Sequence, residues 1–231
     1  MVESMQLRHL SPAPGEPLVT EWEGVEVSGL LEWAGVPAPS GAGPVVVAID
    51  GRSGGGKSTL AGRLVAAHRG AVLVGVDDIA WNAPMFGWAG LVRDGLLTPL
   101  AAGHDVRYRP PAWDEHGRAG AIEVAAHVPL VVLEGVGAAC ADLADLIDGV
   151  LWVQSDVAEA ERRGLARDIA QGVNGDEAAS IAFWHAWMAD ELAFQSAQRT
   201  WERADAIVAG TRVGDAPTGP LYAARRSPRV R

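Results

Sequence analysis

The residues best suited to chemistry lie first in the stretch VVVAIDGRSGGGKSTL, residues 45–60. An apolar, β-branched run is followed by the spacing G-x-x-x-x-G-K-S, which extends from Gly51 to Ser58. This is the pattern of a phosphate-binding P-loop, in which glycines let successive backbone N–H groups surround a polyphosphate at the start of a helix. A glycine-rich turn without a ligand is the alternative, and the strand before and helix after the motif disfavour it. The predicted nucleotide-binding residues are Gly51, Ser53, Gly54, Gly55, Gly56, Lys57, Ser58 and Thr59.

Within this motif, two side chains have distinct predicted roles. Lys57 would neutralise the β- and γ-phosphate oxygens of ATP, and the Ser58 hydroxyl would ligate Mg²⁺. Lys57 is also the only lysine among 19 basic residues. A compact ammonium fits a nest of backbone amides where a planar guanidinium does not. The sequence therefore predicts Lys57 as a catalytic residue.

Acidic residues follow two apolar runs, where an α/β fold places its site. Asp77 and Asp78 follow VLVGV, and Glu134 follows PLVVL. Transfer of a phosphoryl group to a hydroxyl needs a carboxylate near Mg²⁺ and a base that accepts the hydroxyl proton. We predict Asp77 as the base and Glu134 as the metal-side carboxylate. A cap at a strand end is the alternative for either site.

A third set lies in the proline-containing segment 99–118, which mixes aromatic, cationic and acidic residues. Such a mixture suits a pocket in which rings stack a planar or sugar-like ligand and a few polar groups orient it. Ordinary decoration of a surface loop is the alternative. The predicted substrate residues are Asp78, Arg107, Tyr108, Trp113 and His116.

Two arginines lie in the stretch ERRGLARD. Arg163 and Arg167 are four residues apart and would share one helical face. Arginines in a kinase lid stabilise the charge that spreads over the transferring phosphoryl group. The alternative is ion pairing with Glu159 or Glu161 on a solvated face. We predict both arginines as catalytic lid residues.

These residues need elements that bring them to one edge. Apolar runs predict five strands and helical patterns lie between them, which indicates a parallel sheet covered on both faces with ligands at the strands' carboxyl ends. We predict an acidic, proline-containing extension over 1–44, a kinase domain over 45–212 with a lid at about 158–176, and a disordered basic tail over 213–231. The extension is left open between a lid, a dimer contact and padding. The predicted strands are 45–50, 71–77, 130–134, 150–154 and 206–209, and the predicted helices are 58–68, 158–170 and 177–203.

Composition limits the partners and the compartment. The formal charge of −10 argues against a nucleic-acid-binding surface, and no apolar run reaches the length of a membrane span. The single cysteine fits a reducing cytoplasm. We therefore expect a cytoplasmic protein that binds neither nucleic acid nor membrane, and a homodimer is left open.

Taken in order, the motifs resemble those of the uridine kinase-like P-loop kinases, the group that includes phosphoribulokinase and pantothenate kinase. The series is IDGRSGGGKSTLA, VDDIAW, YRPPAWDEHGR, PLVVLEGV, ERRGLARDI and a final AD-I-V strand. The resemblance implies a three-layer sandwich with a small helical lid, use of ATP and Mg²⁺, and Asp77 as the base. It also implies Trp113 and His116 as contacts on the nucleoside side and Arg163 and Arg167 in the lid. By this resemblance the chain belongs to a divergent, actinobacterial-type branch, because Ile79 and Ala80 replace the aromatic pair expected after the aspartate.

The resulting expectation is an ATP-dependent kinase that phosphorylates a hydroxyl of a nucleoside or nucleoside-like small molecule. A kinase of the same fold acting on another metabolite or an antibiotic is the alternative among enzymes. A nucleotide-binding switch or assembly ATPase is the alternative of another class. It would use water as the acceptor and would not need the pocket segment.

Overall fold

The computed structural model describes residues 4–5, 10–41, 43–210 and 219–225. Within them, one eight-stranded sheet forms the centre of the molecule and a two-stranded ribbon lies apart from it. The strands are β1 (Ser4–Met5), β2 (Trp22–Val25), β3 (Val45–Gly51), β4 (Val72–Gly75), β5 (Val106–Tyr108), β6 (Ile122–Val124), β7 (Leu130–Glu134), β8 (Gly149–Gln154), β9 (Ala206–Ala209) and β10 (Leu221–Arg225).

Five strands of the sheet are parallel, in the order β4-β7-β3-β8-β9. All seven residues of β3 are buried, as expected for a strand covered on both faces. The predicted parallel five-stranded sheet is thus confirmed, and three antiparallel strands, β10, β2 and β1, extend it beyond β9. The P-loop strand β3 lies in the middle of the parallel part.

Helices cover both faces of this sheet, which confirms the predicted three-layer α/β arrangement. On one face α2 packs against Val45, Val47 and Ile49 of β3, and on the other α3 to α5 pack against Val46 and Ala48. A π-helical turn, Arg93–Leu97, joins α4 to α5. The helices are α1 (Leu30–Ala34), α2 (Lys57–Ala67), α3 (Val76–Ala80), α4 (Ala89–Val92), α5 (Thr98–Ala101), α6 (Pro111–Glu115), α7 (Val157–Gln171) and α8 (Glu177–Gln198).

Helices α7 and α8 pack against each other beside the P-loop, where the lid is predicted. A Cβ on Gly164 of α7 would clash with the ring of Trp184 on α8, so a glycine at this position permits the close approach. Asp156 and Asp176 cap the two helices, each accepting a hydrogen bond from a backbone N–H of the first turn. In the described part of the chain, no helix has the length and apolar composition needed to cross a bilayer.

The second predicted strand is shorter than expected. It ends at Gly75, and Asp77 and Asp78 lie in the first turn of helix α3 rather than at a strand end. Acidic side chains are favoured there because the helix N-terminus carries partial positive charge. The predicted strand 71–77 is therefore wrong in its last two residues, which belong to α3.

The predicted disordered tail is also wrong for Leu221–Arg225, which form β10 between β2 and β9. The alternating pattern buries Leu221 and Ala223 in the core, and the strand pairs the edge of β9. The N-terminal extension supplies β2 and α1 to the same side of the molecule. The other tail residues, 213–218 and 226–231, lie outside the described residues.

Candidate active site

A cavity of about 930 Å³ lies where the parallel strands end at their carboxyl termini. It contains most of the residues predicted to do chemistry, including the four predicted catalytic residues. Besides residues 53–59 of the P-loop and α2, it is lined by Leu60, Arg63, Asp77, Glu134, Val136, Val153, Glu159, Arg163, Arg167, Trp187, Val208, Ala209, Gly210 and Leu221.

The glycines of the P-loop are required by close packing behind the loop. A Cβ on Gly51 would lie 2.5 Å from the carbonyl oxygen of Val153 on β8. Gly54 has a φ of +71°, and a Cβ there would clash with the carbonyl oxygen of Ala160 on α7. Gly51 does not line the cavity, so its role here is packing, whereas the other predicted nucleotide-binding residues face the cavity.

The predicted metal residues Ser58 and Glu134 are neighbours. The pKa of the Glu134 carboxyl is raised overall, chiefly because burial disfavours its charged form, and the Asp77 carboxylate adds to the shift. The Lys57 ammonium and a hydrogen bond from Ser58 oppose it. Mg²⁺ in such sites is held by one or two protein oxygens together with phosphate oxygens and water. This hydroxyl and carboxylate fit that role. Among the described residues, no group of three or more His, Cys, Asp or Glu side chains forms a separate metal cage.

Lys57 is buried at the start of α2, and its ammonium donates a hydrogen bond to the carbonyl oxygen of Arg52, 3.0 Å away. The side chain is therefore held across the loop before any ligand is bound. From this position the ammonium faces the cavity in which phosphates would lie.

Adjacent in sequence, Asp77 and Asp78 face different surroundings. Asp77 lines the cavity with Glu134, while Asp78 pairs with Arg118. The carbonyl oxygen of Asp78 accepts a hydrogen bond from Trp113 Nε1 at 2.8 Å. The structure thus places Asp77, and not Asp78, at the cavity.

Both predicted lid arginines line the cavity. Arg163 donates to Glu159 at 2.7 Å and to the carbonyl oxygen of Gly210 at 3.0 Å. Hydrogen bonds from Arg162, and then from Arg163, hold the pKa of Glu159 down to about 2. The ion pair weighed as the alternative therefore exists for Arg163, which nevertheless faces the cavity. Arg167 pairs with Asp168 at 2.8 Å and remains half exposed.

The predicted substrate residues Arg107 and Tyr108 do not line the cavity. Arg107 forms an exposed ion pair with Glu123 across the β5–β6 ribbon, 3.0 Å between Nε and Oε1. Tyr108 packs so closely on Gly95 that a Cβ on that glycine would clash with its ring, and burial raises the tyrosine pKa.

Trp113 and His116 also lie outside the cavity lining. Trp113 is only 5% exposed, and the Arg118 guanidinium lies 3.9 Å from its ring centroid. His116 meets the ring of Trp81 edge-on, 5.6 Å between centroids. A stacked substrate ring on Trp113 is not compatible with this burial, so that part of the prediction is corrected.

Three acidic residues with structural importance were missed by the sequence reasoning. The first is Asp50, which is fully buried at the end of β3. It accepts hydrogen bonds from the N–H groups of Gly51 at 2.7 Å, Gly137 at 2.8 Å and Ala139 at 3.2 Å. Burial raises its pKa, and these three bonds oppose the shift. Asp50 ties the P-loop strand to the loop after β7, and its signal was an acid inside an apolar strand.

The second is Glu191 on α8, which is fully buried against the P-loop. Its carboxylate accepts hydrogen bonds from the Ser53 N–H at 3.0 Å, from Ser53 Oγ at 2.6 Å and from Trp187 Nε1 at 2.8 Å. An acid on a tryptophan-rich helix was the available signal. These bonds join the helix after the lid to the phosphate-binding loop.

The third is Glu16 in the N-terminal extension. It pairs with Arg52 of the P-loop at 3.1 Å, and both side chains are at most 2% exposed. Gln154 Nε2 at 3.1 Å and Trp152 Nε1 at 3.3 Å donate to its second oxygen. No local pattern linked Glu16 to a residue 36 positions later.

No protein-family model matches the chain, and no curated protein sequence matches it significantly. Solved structures do match. A "putative fructose transport system kinase" from Silicibacter is 25% identical, with a TM-score of 0.54, over 78% of this chain and 96% of that one. A "possible uridine kinase" from Bacillus stearothermophilus is 16% identical, with a TM-score of 0.50, over the same shares of the two chains.

The sheet order, the P-loop and these neighbours together define a P-loop kinase fold. The resemblance of the sequence to the uridine kinase-like P-loop kinases is confirmed at the level of that fold.

Proposed function

We propose that this protein is an ATP- and Mg²⁺-dependent kinase that transfers the γ-phosphoryl group to a hydroxyl of a small molecule. The observation that carries the proposal is the shared cavity of Lys57, Ser58, Glu134, Asp77 and the two lid arginines. Phosphoryl transfer to an alcohol requires backbone amides that bind phosphate, a carboxylate beside the metal, a base, and long cationic side chains that reach the transferred group.

The strand order supports separate sides for donor and acceptor. Val208 and Ala209 of β9, and Gly210 directly after it, lie on one side of the P-loop, where Leu221 and Arg63 also line the cavity. Asp77, in the helix after β4, and Glu134, the last residue of β7, lie on the other side. The nucleotide base therefore binds on the β9 side, and the acceptor hydroxyl enters on the β4 side.

In this arrangement each side chain has one task. Asp77 orients the acceptor hydroxyl and accepts its proton as the oxygen attacks the γ-phosphorus. Lys57 and the N–H groups of the P-loop bind phosphate oxygens, and Arg163 and Arg167 oppose the charge that develops during transfer. Mg²⁺ bound at Ser58 and Glu134 would neutralise phosphate charge.

The acceptor is a nucleoside or a sugar-like molecule. The resemblance to uridine kinases supports the former, and the kinase named for fructose transport supports a free sugar as well. In both compounds the reacting group is an alcohol, which matches a carboxylate base.

The direct test is ADP formation from ATP and Mg²⁺ with uridine, cytidine, adenosine and fructose offered singly. We expect at least one to raise the rate sharply above the acceptor-free rate. Lys57→Ala serves as the control and should abolish transfer, because no other group replaces its charge in the loop. A steady hydrolysis of ATP that no acceptor stimulates would contradict the proposal and favour a switch or assembly ATPase.

A further inference from the structure

Among the described residues that line the candidate active site, Trp187 is the one aromatic side chain. Its Nε1 donates to Ser53 Oγ at 3.0 Å and lies 2.8 Å from Glu191 Oε2. Because Ser53 belongs to the P-loop and Glu191 is fully buried, these bonds fix the indole beside the phosphate-binding loop. A ring held this way presents a rigid apolar surface to a ligand.

Phe86 packs against Trp187 just outside the cavity lining. Its ring lies 5.5 Å from Trp187 and stacks on Phe194 at 4.2 Å, with 11° between the planes. Phe86 has a φ of +54°, a left-handed conformation that is unfavourable for a bulky residue. Strain of this kind persists where the surrounding structure imposes it, and it clusters at ligand-binding sites.

This aromatic wall, Trp187 and Phe86, lies on the acceptor side of the P-loop. Phe86 belongs to the loop that follows α3, the helix that carries Asp77. Its stacking partner Phe194 contacts Gly137, three residues after Glu134. Phe86 thus comes from the segment that follows β4, and Trp187 comes from α8, whose Phe194 packs against the loop after β7. Both contacts lie away from the β9 side assigned to the nucleotide base.

Charge further restricts the ligand. Asp77 and Glu134 are the acidic groups on this side of the cavity. Of the lining cations, Lys57, Arg163 and Arg167 are assigned to phosphate, and Arg63 lies on the β9 side. A carboxylate or phosphate on the acceptor would therefore be repelled by these two carboxylates, and none of the described lining cations on this side would remain to pair with it. A neutral molecule with one apolar ring face and a hydroxyl at its edge fits both the wall and the base.

We propose that Trp187, supported from behind by Phe86, forms the acceptor subsite and selects an uncharged, ring-shaped alcohol, in place of the Tyr108–His116 segment. The inference rests on the kinase function proposed above. Free sugars and nucleosides share this chemistry, since each has a ring face of C–H or base atoms and peripheral hydroxyls.

The test combines acceptor choice with two wall variants. Wild type is assayed with uridine, fructose, their phosphate monoesters, glycerol and glycerate, so that ring and charge vary separately. For the better ring acceptor, Phe86→Leu and Trp187→Phe should raise the acceptor KM, with Phe86→Leu changing the KM for ATP little. Loss of a stacked ring corresponds to a rise in the acceptor KM of roughly 5- to 150-fold. Trp81→Leu and Trp113→Phe are matched controls because neither ring lines the cavity. Their acceptor KM should stay within about twofold of wild type, below the roughly 5- to 150-fold expected for a lost stacked ring.

Calorimetric binding of uridine and fructose, in the presence of a non-hydrolysable ATP analogue, provides a readout independent of turnover. Binding that weakens in the wall variants but leads to no transfer would support the subsite and defeat the proposed kinase function. Transfer that is unaffected by the wall variants, equal use of the charged or ringless compounds, or a larger effect of Trp113→Phe would overturn the subsite. Absence of both binding and transfer would overturn both proposals.

Discussion

At the scale of single residues, the difference between Asp77 and Asp78 comes from helix geometry. Successive residues of α3 point in directions about 100° apart, so one carboxylate reaches the cavity and the other reaches Arg118. Only the first has access to an acceptor hydroxyl. The pair therefore offers a matched comparison in which charge and chain position are nearly the same.

We expect Asp77→Asn to lower kcat by roughly 10²- to 10⁴-fold, the range for loss of a general base. Asp78→Asn should have a much smaller effect, because it removes an ion pair that is partly exposed. Steady-state kinetics and ATP titration of the two variants provide the measurement. If Asp78→Asn proved the more damaging change, the assignment of the base would have to be exchanged.

Glu134 gives a pH dependence with a definite sign. Burial raises the pKa of its carboxyl above the ordinary value, so protonation begins at a higher pH than for an exposed glutamate. A protonated carboxyl cannot ligate Mg²⁺, so the Mg²⁺ concentration needed for half-maximal rate should rise as pH falls below neutrality.

Measuring that concentration across a pH series in wild type and Glu134→Gln checks this expectation. The variant has no carboxyl to protonate, so its Mg²⁺ requirement should be higher at all pH values and less dependent on pH. An unchanged pH dependence in Glu134→Gln would show that the titration does not belong to Glu134 and would contradict this expectation.

At the scale of elements, α7 carries cations in two different environments. Arg167 lines the cavity, whereas Arg162 is largely exposed and pairs with Glu159. Both positions lie on the same helix and both carry one ion pair. The helix thus supplies its own control for a role in the reaction.

Arg167→Ala should lower kcat strongly and ATP affinity little, because a cation that opposes charge developing during transfer acts in the transition state. Arg162→Ala should leave both nearly unchanged, since solvent screens an exposed pair of this kind and the pair contributes little. The measurement is kcat, with the ATP dissociation constant determined separately. Equal losses in affinity and in kcat/KM for Arg167→Ala would indicate simple ground-state binding instead.

At the scale of the whole molecule, the N-terminal extension is joined to the active site through a buried charge pair. Glu16 and Arg52 are separated by 36 positions and are both shielded from water. Removal of one partner from such a pair leaves an uncompensated charge in the interior. The extension is therefore part of the support of the P-loop and not padding.

Glu16→Ala should reduce the free energy of unfolding by about 3–5 kcal/mol, the usual cost of breaking a buried pair. Glu21→Ala, at an exposed position of the same segment, should change it by less than about 0.5 kcal/mol. Urea unfolding monitored by tryptophan fluorescence measures both. A stability of Glu16→Ala close to that of wild type would show that Arg52 finds another partner or solvent.

The sequence by itself determined the parallel core and the phosphate-binding end of the site. The apolar runs and the P-loop spacing are both local signals. A strand that is buried on both faces needs a continuous apolar run, and a phosphate-binding loop needs glycines at fixed spacing. The predicted strands 130–134 and 206–209 agree with β7 and β9 in their bounds. Lys57, Ser58, Glu134 and Asp77 were found because each follows such a signal within a few residues.

Only the tertiary structure decided the supports of the P-loop and the aromatic side of the cavity. Glu16, Glu191 and Trp187 reach the P-loop from segments far away in the chain, so no spacing reveals them. Conversely, the composition of segment 99–118 predicts Trp113 in a substrate pocket, yet the ring is buried beneath the Arg118 guanidinium. Local patterns specify which backbone forms, whereas long-range packing determines which side chains of that backbone meet in one cavity.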